Sequence, residues 1–300
     1  MDDASIRLMA FSEVGRRLKA FDSPLSWESI IPTFQLENEQ IYLANRARGI
    51  FKPRQMKRGI LSVKTTVPRA GRNRRYKVDD RRNDALTYAF QGEDAQASDN
   101  LRLKEAFEDR SPFIYFFGVA EGKYEPLWPC FITAYRPTNL EIEVQVGTVG
   151  GRPEAVSSIR EEEREYRTTL AKQRIHQSAF REMILSAYGE RCALSGLPIR
   201  SLLTAAHIFP DGHLLGIAAV TNGIALSTLH HAAYDANLIG ISPEGIIHVS
   251  DRLLSETDGP LLESGLKALR GEKMRFPTDQ IARPDRHALA YRFEEFRAAS

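Results

Sequence analysis

The amino-acid sequence predicts an α+β protein of two domains, and three observations carry that expectation. Short strand-like segments fill the stretch from Tyr42 to about Val146, glycines follow at Gly147, Gly150 and Gly151, and a helical pattern then leads into a strand, loop and helix order. With 300 residues and 42% hydrophobic composition, the chain is long enough to bury two ordinary cores.

The elements follow in order. Ile6, Met9, Phe11, Val14 and Leu18 recur at roughly helical spacing, which predicts an amphipathic helix from Ser5 to about Ala20. Strands are expected from Ile60 to Val67, Ala85 to Phe90, Phe113 to Val119, Cys130 to Tyr135 and Leu140 to Val146, divided by Gly, Pro, Asn and Asp turns. Residues 1–150 therefore read as a mostly β domain. The charged run from Glu161 to Arg167, flowing into Ile175, Phe180, Ile184 and Tyr188, reads as a solvated connecting helix, with 151–175 as linker. Residues 176–300 form the second domain, with a short hairpin after Gly189, a helix around Ser227 to Ala236, and β segments near Ile239 to Val249.

Composition limits the function classes. The 41 Lys and Arg residues nearly balance 39 Asp and Glu residues, so any nucleic-acid footprint must be local. Such a footprint exists between Arg46 and Arg82, where basic residues including Arg54, Lys57, Arg72, Arg74 and Arg75 face only Asp79 and Asp80. That density suits phosphate neutralisation, with a solvated basic loop as the plain alternative. Cys130 and Cys192 are too isolated for a four-cysteine zinc module or a disulfide framework. With no apolar leader and no run long enough to span a bilayer, a cytoplasmic protein without membrane contact is expected.

The chemistry concentrates in Ala205-Ala206-His207-Ile208-Phe209-Pro210, Thr221-Asn222-Gly223-Ile224-Ala225-Leu226 and Leu229-His230-His231-Ala232-Ala233-Tyr234-Asp235. On a helix, His231 and Asp235 leave the same face, so an imidazole nitrogen and a carboxylate oxygen can converge on one cation. That mixed pair suits a transition ion better than Mg²⁺. An imidazole such as His207 can be unprotonated near neutral pH and take a proton from water. Singly, each residue has a plainer explanation: a core histidine at 207, a turn at Asn222-Gly223, a surface or capping pair at His230 and His231. Their joint order favours a site.

In that order and separation, the segment from about Phe180 to Pro260 resembles the HNH nuclease family. The resemblance implies a ββα-metal fold in which His207 is the general base, Asn222 holds the motif together, and His231 with Asp235 binds one divalent metal, Mn²⁺, Ni²⁺ or Mg²⁺. The sequence departs from many relatives at Ala206, where an acidic residue or histidine often adds a ligand; Asp211 or His213 could compensate. Cys192 is followed by Ser195 where relatives carry a second cysteine, so no structural zinc is expected, and Leu194, Leu197, Leu202 and Leu203 are expected to pack in its place.

A weaker resemblance covers about Gln40 to Val146. The phrases Gly49 to Pro53, Gly59 to Val63, Tyr76 to Asp80, Leu86 to Tyr88, Asp99-Asn100 and Pro112 to Gly118 look like the SRA domain, a PUA-like β barrel that binds DNA carrying modified cytosine. It implies Tyr76 and Tyr88 as residues that stack on a flipped base and Asp79 or Asp80 as the reader of its polar edge. Ala89 to Asp94 replaces the family's glycine-rich signature. The expectation is thus an SRA/PUA-like β barrel with flanking helices joined to an HNH domain: a metal-dependent endonuclease in modification-dependent restriction, a defence against foreign DNA. The substrate is double-stranded DNA, and one metal site per chain favours a homodimer. Two alternatives stay open: a nuclease for phosphorothioate or unmodified DNA, and a catalytically degenerate DNA-binding protein.

Overall fold

The computed structural model describes residues 2–67, 86–147, 161–210, 218–257 and 259–299, without the side chains of 161–168. The chain divides into two compact units, Met1–Ser178 and Ala179–Ser300.

The first unit opens with α1 (Asp3–Phe21), started by the Asp2 carboxylate, which accepts from the Ser5 N–H at 2.7 Å. Its inner face buries Ile6, Ala10 and Val14 and also Arg17, whose guanidinium donates to Glu13 and to the carbonyls of Ser29, Ile30 and Pro32. A buried charge is tolerated when its donors are matched in this way. Next come β1 (Leu25–Ser26), α2 (Trp27–Ile30) and a separate hairpin of β2 (Phe34–Leu36) and β3 (Glu39–Ile41). The remaining elements are β4 (Ile50–Phe51), β5 (Ser62–Lys64), β6 (Leu86–Ala89), α3 (Ser98–Glu108), β7 (Phe113–Ala120), β8 (Lys123–Arg136) and β9 (Glu141–Val146).

These strands build one mixed sheet in the order β4-β5-β7-β8-β9-β6, with β1 added against β8. The β5 and β7 pair is parallel; the other pairs are antiparallel. Register shifts interrupt β8 against β7 and against β9, and such bulges add twist and curl a sheet. The expected barrel is accordingly a curled half-barrel: β4 and β6 end the path and are not bonded to each other among the described residues. The sequence did not suggest α3, whose Asn100 is fully buried. The Asn100 side chain accepts from the Gln91 N–H at 2.9 Å and donates to the Gln91 and Asp94 carbonyls, pinning the loop after β6.

Helix α4 (Glu161–Ala187) crosses the boundary between the units. Within the first unit, the buried Glu125 of β8 accepts from Arg174 at 2.6 Å, from the Ser178 hydroxyl at 2.7 Å and from the Ser23 hydroxyl. The connecting helix is therefore not merely a solvated spacer, because its later turns satisfy a buried carboxylate.

The second unit contains a hairpin of β10 (Leu203–His207) and β11 (Gly223–Ser227), then α5 (Thr228–Asp235). A second hairpin of β12 (Ile239–Ile241) and β13 (Ile247–Val249) follows, with α6 (Asp251–Ser255), α7 (Pro260–Gly265) and α8 (Arg286–Ala299) after it. The hairpin register runs from Leu203 opposite Ser227 to His207 opposite Gly223. Phe180, Ile184, Ala206, Ile208, Ile224, Leu226 and Leu289 share one core. Gly223 lies in a strand rather than in the turn its Asn-Gly pairing suggests. A Cβ there would stand 2.4 Å from Ile184 Cδ1 and 2.7 Å from Phe180 Cζ, so the missing side chain lets α4 seat on the hairpin. No helix among the described residues is long and apolar enough to cross a membrane.

Candidate active site

His207 ends β10, directly opposite Gly223, and its ring stacks on Phe180 with centroids 4.0 Å apart and planes 8° from parallel. The contact limits ring rotation while leaving the imidazole half-buried. The sequence placed Phe180 only in a helical pattern, which gave no hint of its stack on His207.

Asn222, 5% exposed, closes the loop between the two strands. Its Oδ1 accepts from the Phe209 N–H at 2.9 Å, its Nδ2 donates to the Phe209 carbonyl at 3.2 Å, and its own carbonyl accepts from the Ile208 N–H at 3.0 Å. The side chain thus acts like a strand backbone and holds the two residues after His207 in line.

Ser227 caps α5 by accepting from the His230 N–H at 3.3 Å. One turn on, His231 Nε2 stands 3.2 Å from Asp235 Oδ2, as the four-residue spacing requires. Thr204 Oγ1 is 2.8 Å from His231 Nδ1 and donates to the Leu226 carbonyl at 3.4 Å. Which of Thr204 and His231 donates in the first contact depends on the imidazole tautomer, and without a cation an Nε2–H would donate to the Asp235 carboxylate. Two atoms bound to one cation at about 2.0–2.2 Å, at angles between square and tetrahedral, lie roughly 3.0–3.5 Å apart. His231 and Asp235 therefore fit a divalent cation by donor type and spacing, with Thr204 as a hydrogen-bond partner of the other ring nitrogen. No group of three or more His, Cys, Asp or Glu side chains that could hold a metal occurs among the described residues. Ala206 is fully buried in the core and adds no ligand; Asp211 and His213 lie outside the described residues.

His230 is not a surface residue. It is 4% exposed, with Nδ1 2.9 Å from the Ser227 hydroxyl and 3.3 Å from Cys192 Sγ, and Nε2 donating to the Gly265 carbonyl at 2.9 Å. Burial opposes ionisation of the Cys192 thiol, yet hydrogen bonds from His230, Ser195 and Ser227 outweigh it and draw its pKa down. For His230, burial lowers the pKa, but the Cys192 sulfur and the Gly265 carbonyl outweigh it and raise it. Leu194 and Leu203 are buried as expected, whereas Leu202 is 50% exposed at a 3₁₀ turn and packs nothing. The Cys192, Ser227 and His230 network ties down the turn that carries Ser195. At the other end of α5, Arg292 donates to the Tyr234 carbonyl at 2.5 Å and lies over the Tyr234 ring, complementing the helix C-terminus.

In the first unit, Tyr88 of β6 is 1% exposed and meets Tyr115 edge-on with centroids 5.8 Å apart. It also lines a pocket of about 460 Å³ with Arg46, Gly49, Lys64, Gln91 and Glu93. A Cβ on Gly49 would come within 2.6 Å of the Tyr88 hydroxyl, so glycine opens that wall. Lys64 donates to the Asn45 and Arg46 carbonyls and sits 4.4 Å from the Trp27 ring centroid; burial pulls its pKa down to about 8. Arg54 is exposed and paired with Glu39 at 3.2 Å, and the exposed Lys57 donates its backbone N–H to Asp3. Arg72, Arg74, Arg75, Tyr76, Asp79 and Asp80 lie outside the described residues.

Residues 192–242 match the family described as HNH endonuclease, a span that contains His207, Asn222, His231 and Asp235. The second unit therefore carries an HNH endonuclease domain. No curated protein matches the chain. Among solved structures, the chain is similar to a "Modification dependent TagI restriction endonuclease" at 11% identity, covering 79% of this chain and 82% of that one, with a TM-score of 0.32. A score that low carries no argument about the fold.

Proposed function

We propose that the protein is a metal-dependent DNA endonuclease that hydrolyses phosphodiester bonds at His207 and acts in modification-dependent restriction of foreign DNA. The observation that carries the reading is the matched domain, in which His207 ends a hairpin strand and His231 faces Asp235 across one helical turn.

His207, held flat against Phe180, takes the proton of an attacking water. Asn222 keeps the strand end carrying His207 aligned through both polar atoms of its amide. His231 and Asp235 would hold a divalent cation, which when bound would supply Lewis-acid charge at the scissile phosphate. One such site handles one strand at a time, so double-strand cutting calls for a homodimer.

The recognition half of the proposal assigns the half-barrel an SRA/PUA-like role. Its support is the Tyr88 pocket, whose volume of about 460 Å³ lies in the range of small-ligand sites and whose wall joins an aromatic ring to polar side chains. Modified cytosine is the proposed occupant, with Arg54, Lys57, Arg72, Arg74 and Arg75 on phosphates and Tyr76, Asp79 and Asp80 completing the pocket. The test is cleavage of methylated, hydroxymethylated and plain duplexes with Mn²⁺, Ni²⁺, Mg²⁺ or chelator. Metal-dependent cutting that favours a modified duplex is expected, with Tyr88→Ala erasing the preference. Equal cutting of all duplexes would remove base reading and leave the nuclease; no cutting with any metal would leave a DNA-binding protein.

A further inference from the structure

We propose that the segment beyond the matched domain, from Pro243 through α8, forms a groove that holds the sugar-phosphate backbone of the DNA strand beside the scissile bond. The inference rests on the nuclease reading of the same unit.

The groove has a volume of about 780 Å³, and Thr221 forms its wall on the active-site side. The Thr221 carbonyl accepts from the Asp285 N–H at 2.9 Å. The next residue, Asn222, pins Phe209, and the one after it, Gly223, lies opposite His207. The groove and the proposed base therefore share one end of one hairpin. A strand leaving the active site at that end meets the groove first.

Its charge suits a phosphate chain. Lys273, Arg283, Arg286 and His287 line it, all exposed, together with the acids Glu244 and Asp285. Both acids are engaged: Glu244 pairs with Arg286 at 3.2 Å and accepts from Ser242, and Asp285 accepts from the Ala288 N–H at 2.9 Å as the start of α8. Lys273, Arg283 and His287 have no ion-pair partner among the described residues. Beneath them the Phe276 ring carries the Arg283 guanidinium 5.6 Å from its centroid, and Ile281 is 84% exposed at the rim. Lys273 and Arg283, the latter also donating to the Pro277 carbonyl at 3.3 Å, stand over an aromatic floor with an apolar lip, a surface that suits a nucleic-acid backbone and tolerates any base.

The test uses the full chain. Binding to duplex DNA is measured without metal, so that nothing is cut, across a salt series for wild type, Lys273→Gln, and Lys273→Gln with Arg283→Gln. Each lost phosphate contact should lower the slope of log affinity against log salt by about one, and the double variant should bind about tenfold more weakly at moderate salt. The single variant removes an exposed side chain and keeps the test readable if the double one fails to fold. A photo-crosslinking residue at Ile281 should label nucleotides next to the cut. Wild-type slopes in both variants, or crosslinks confined to sites far from the cut, would overturn the groove. Failure of the wild type to cut with any metal would instead defeat the nuclease reading, and the salt slopes would still report on the groove.

Discussion

The second unit gathers its chemistry in one hairpin and the helix that follows it. His207, Thr204 and Asn222 are fixed by neighbours along β10 and β11, and His231 and Asp235 by one turn of α5. The first unit distributes its candidates differently: Tyr88 comes from the edge strand β6, its pocket neighbours Arg46, Gly49 and Lys64 come from far earlier in the chain, and Gln91 is placed by Asn100 of α3. Short-range geometry makes a catalytic motif portable as a unit. A recognition pocket assembled from distant strands depends on the whole sheet.

The contrast can be broken most sharply at the metal pair. His231→Ala or Asp235→Ala should weaken Mn²⁺ binding by at least about a hundredfold, with a small effect on unfolding, because Asp235 is exposed and His231 is only partly buried. Unaltered Mn²⁺ titrations in both variants would remove the ligand assignment. Asn222→Ala is the complementary case. It removes both side-chain hydrogen bonds to the buried Phe209 backbone, and denaturant unfolding should show a loss of about 2–4 kcal/mol. A cost near zero would mean the hairpin end is held by other contacts. Thr204→Val should change metal affinity by about tenfold with a smaller stability effect, since the hydroxyl acts through His231.

The remaining prediction belongs to the first unit. Lys64 titrates near 8 when folded and at about 10.4 when unfolded. In that window the unfolded chain holds the extra proton, so raising the pH from 8 to 10 should stabilise wild type relative to Lys64→Met. A stability difference that is flat or falls with pH would show that burial does not depress Lys64.

These cases also separate what the sequence makes legible from what it does not. The juxtaposition of His231 and Asp235 on α5 was readable because they obey helical spacing, and the hairpin because its apolar residues flank His207 and Asn222. The half-barrel strands were legible from their β-rich runs, but β8 was read as a shorter strand and α3 was missed. His230 could not be placed, because its burial depends on Cys192 and on the Gly265 carbonyl, each more than thirty residues away. Nor could Phe180 be singled out, since an apolar residue in a helical pattern looks the same whether it packs a core or stacks on the His207 ring. The structural role left to Cys192 belongs to the same class of long-range facts.

The central claim is that His207 is the base of a metal-dependent nuclease, and one measurement bears on it directly. Purified wild type and His207→Ala should be compared on duplex DNA with saturating Mn²⁺, alongside duplex binding and Mn²⁺ titration of both. Cleavage should fall by at least about a hundredfold in the variant while DNA and metal binding stay within about twofold of wild type. Cutting by His207→Ala at the wild-type rate would contradict the account.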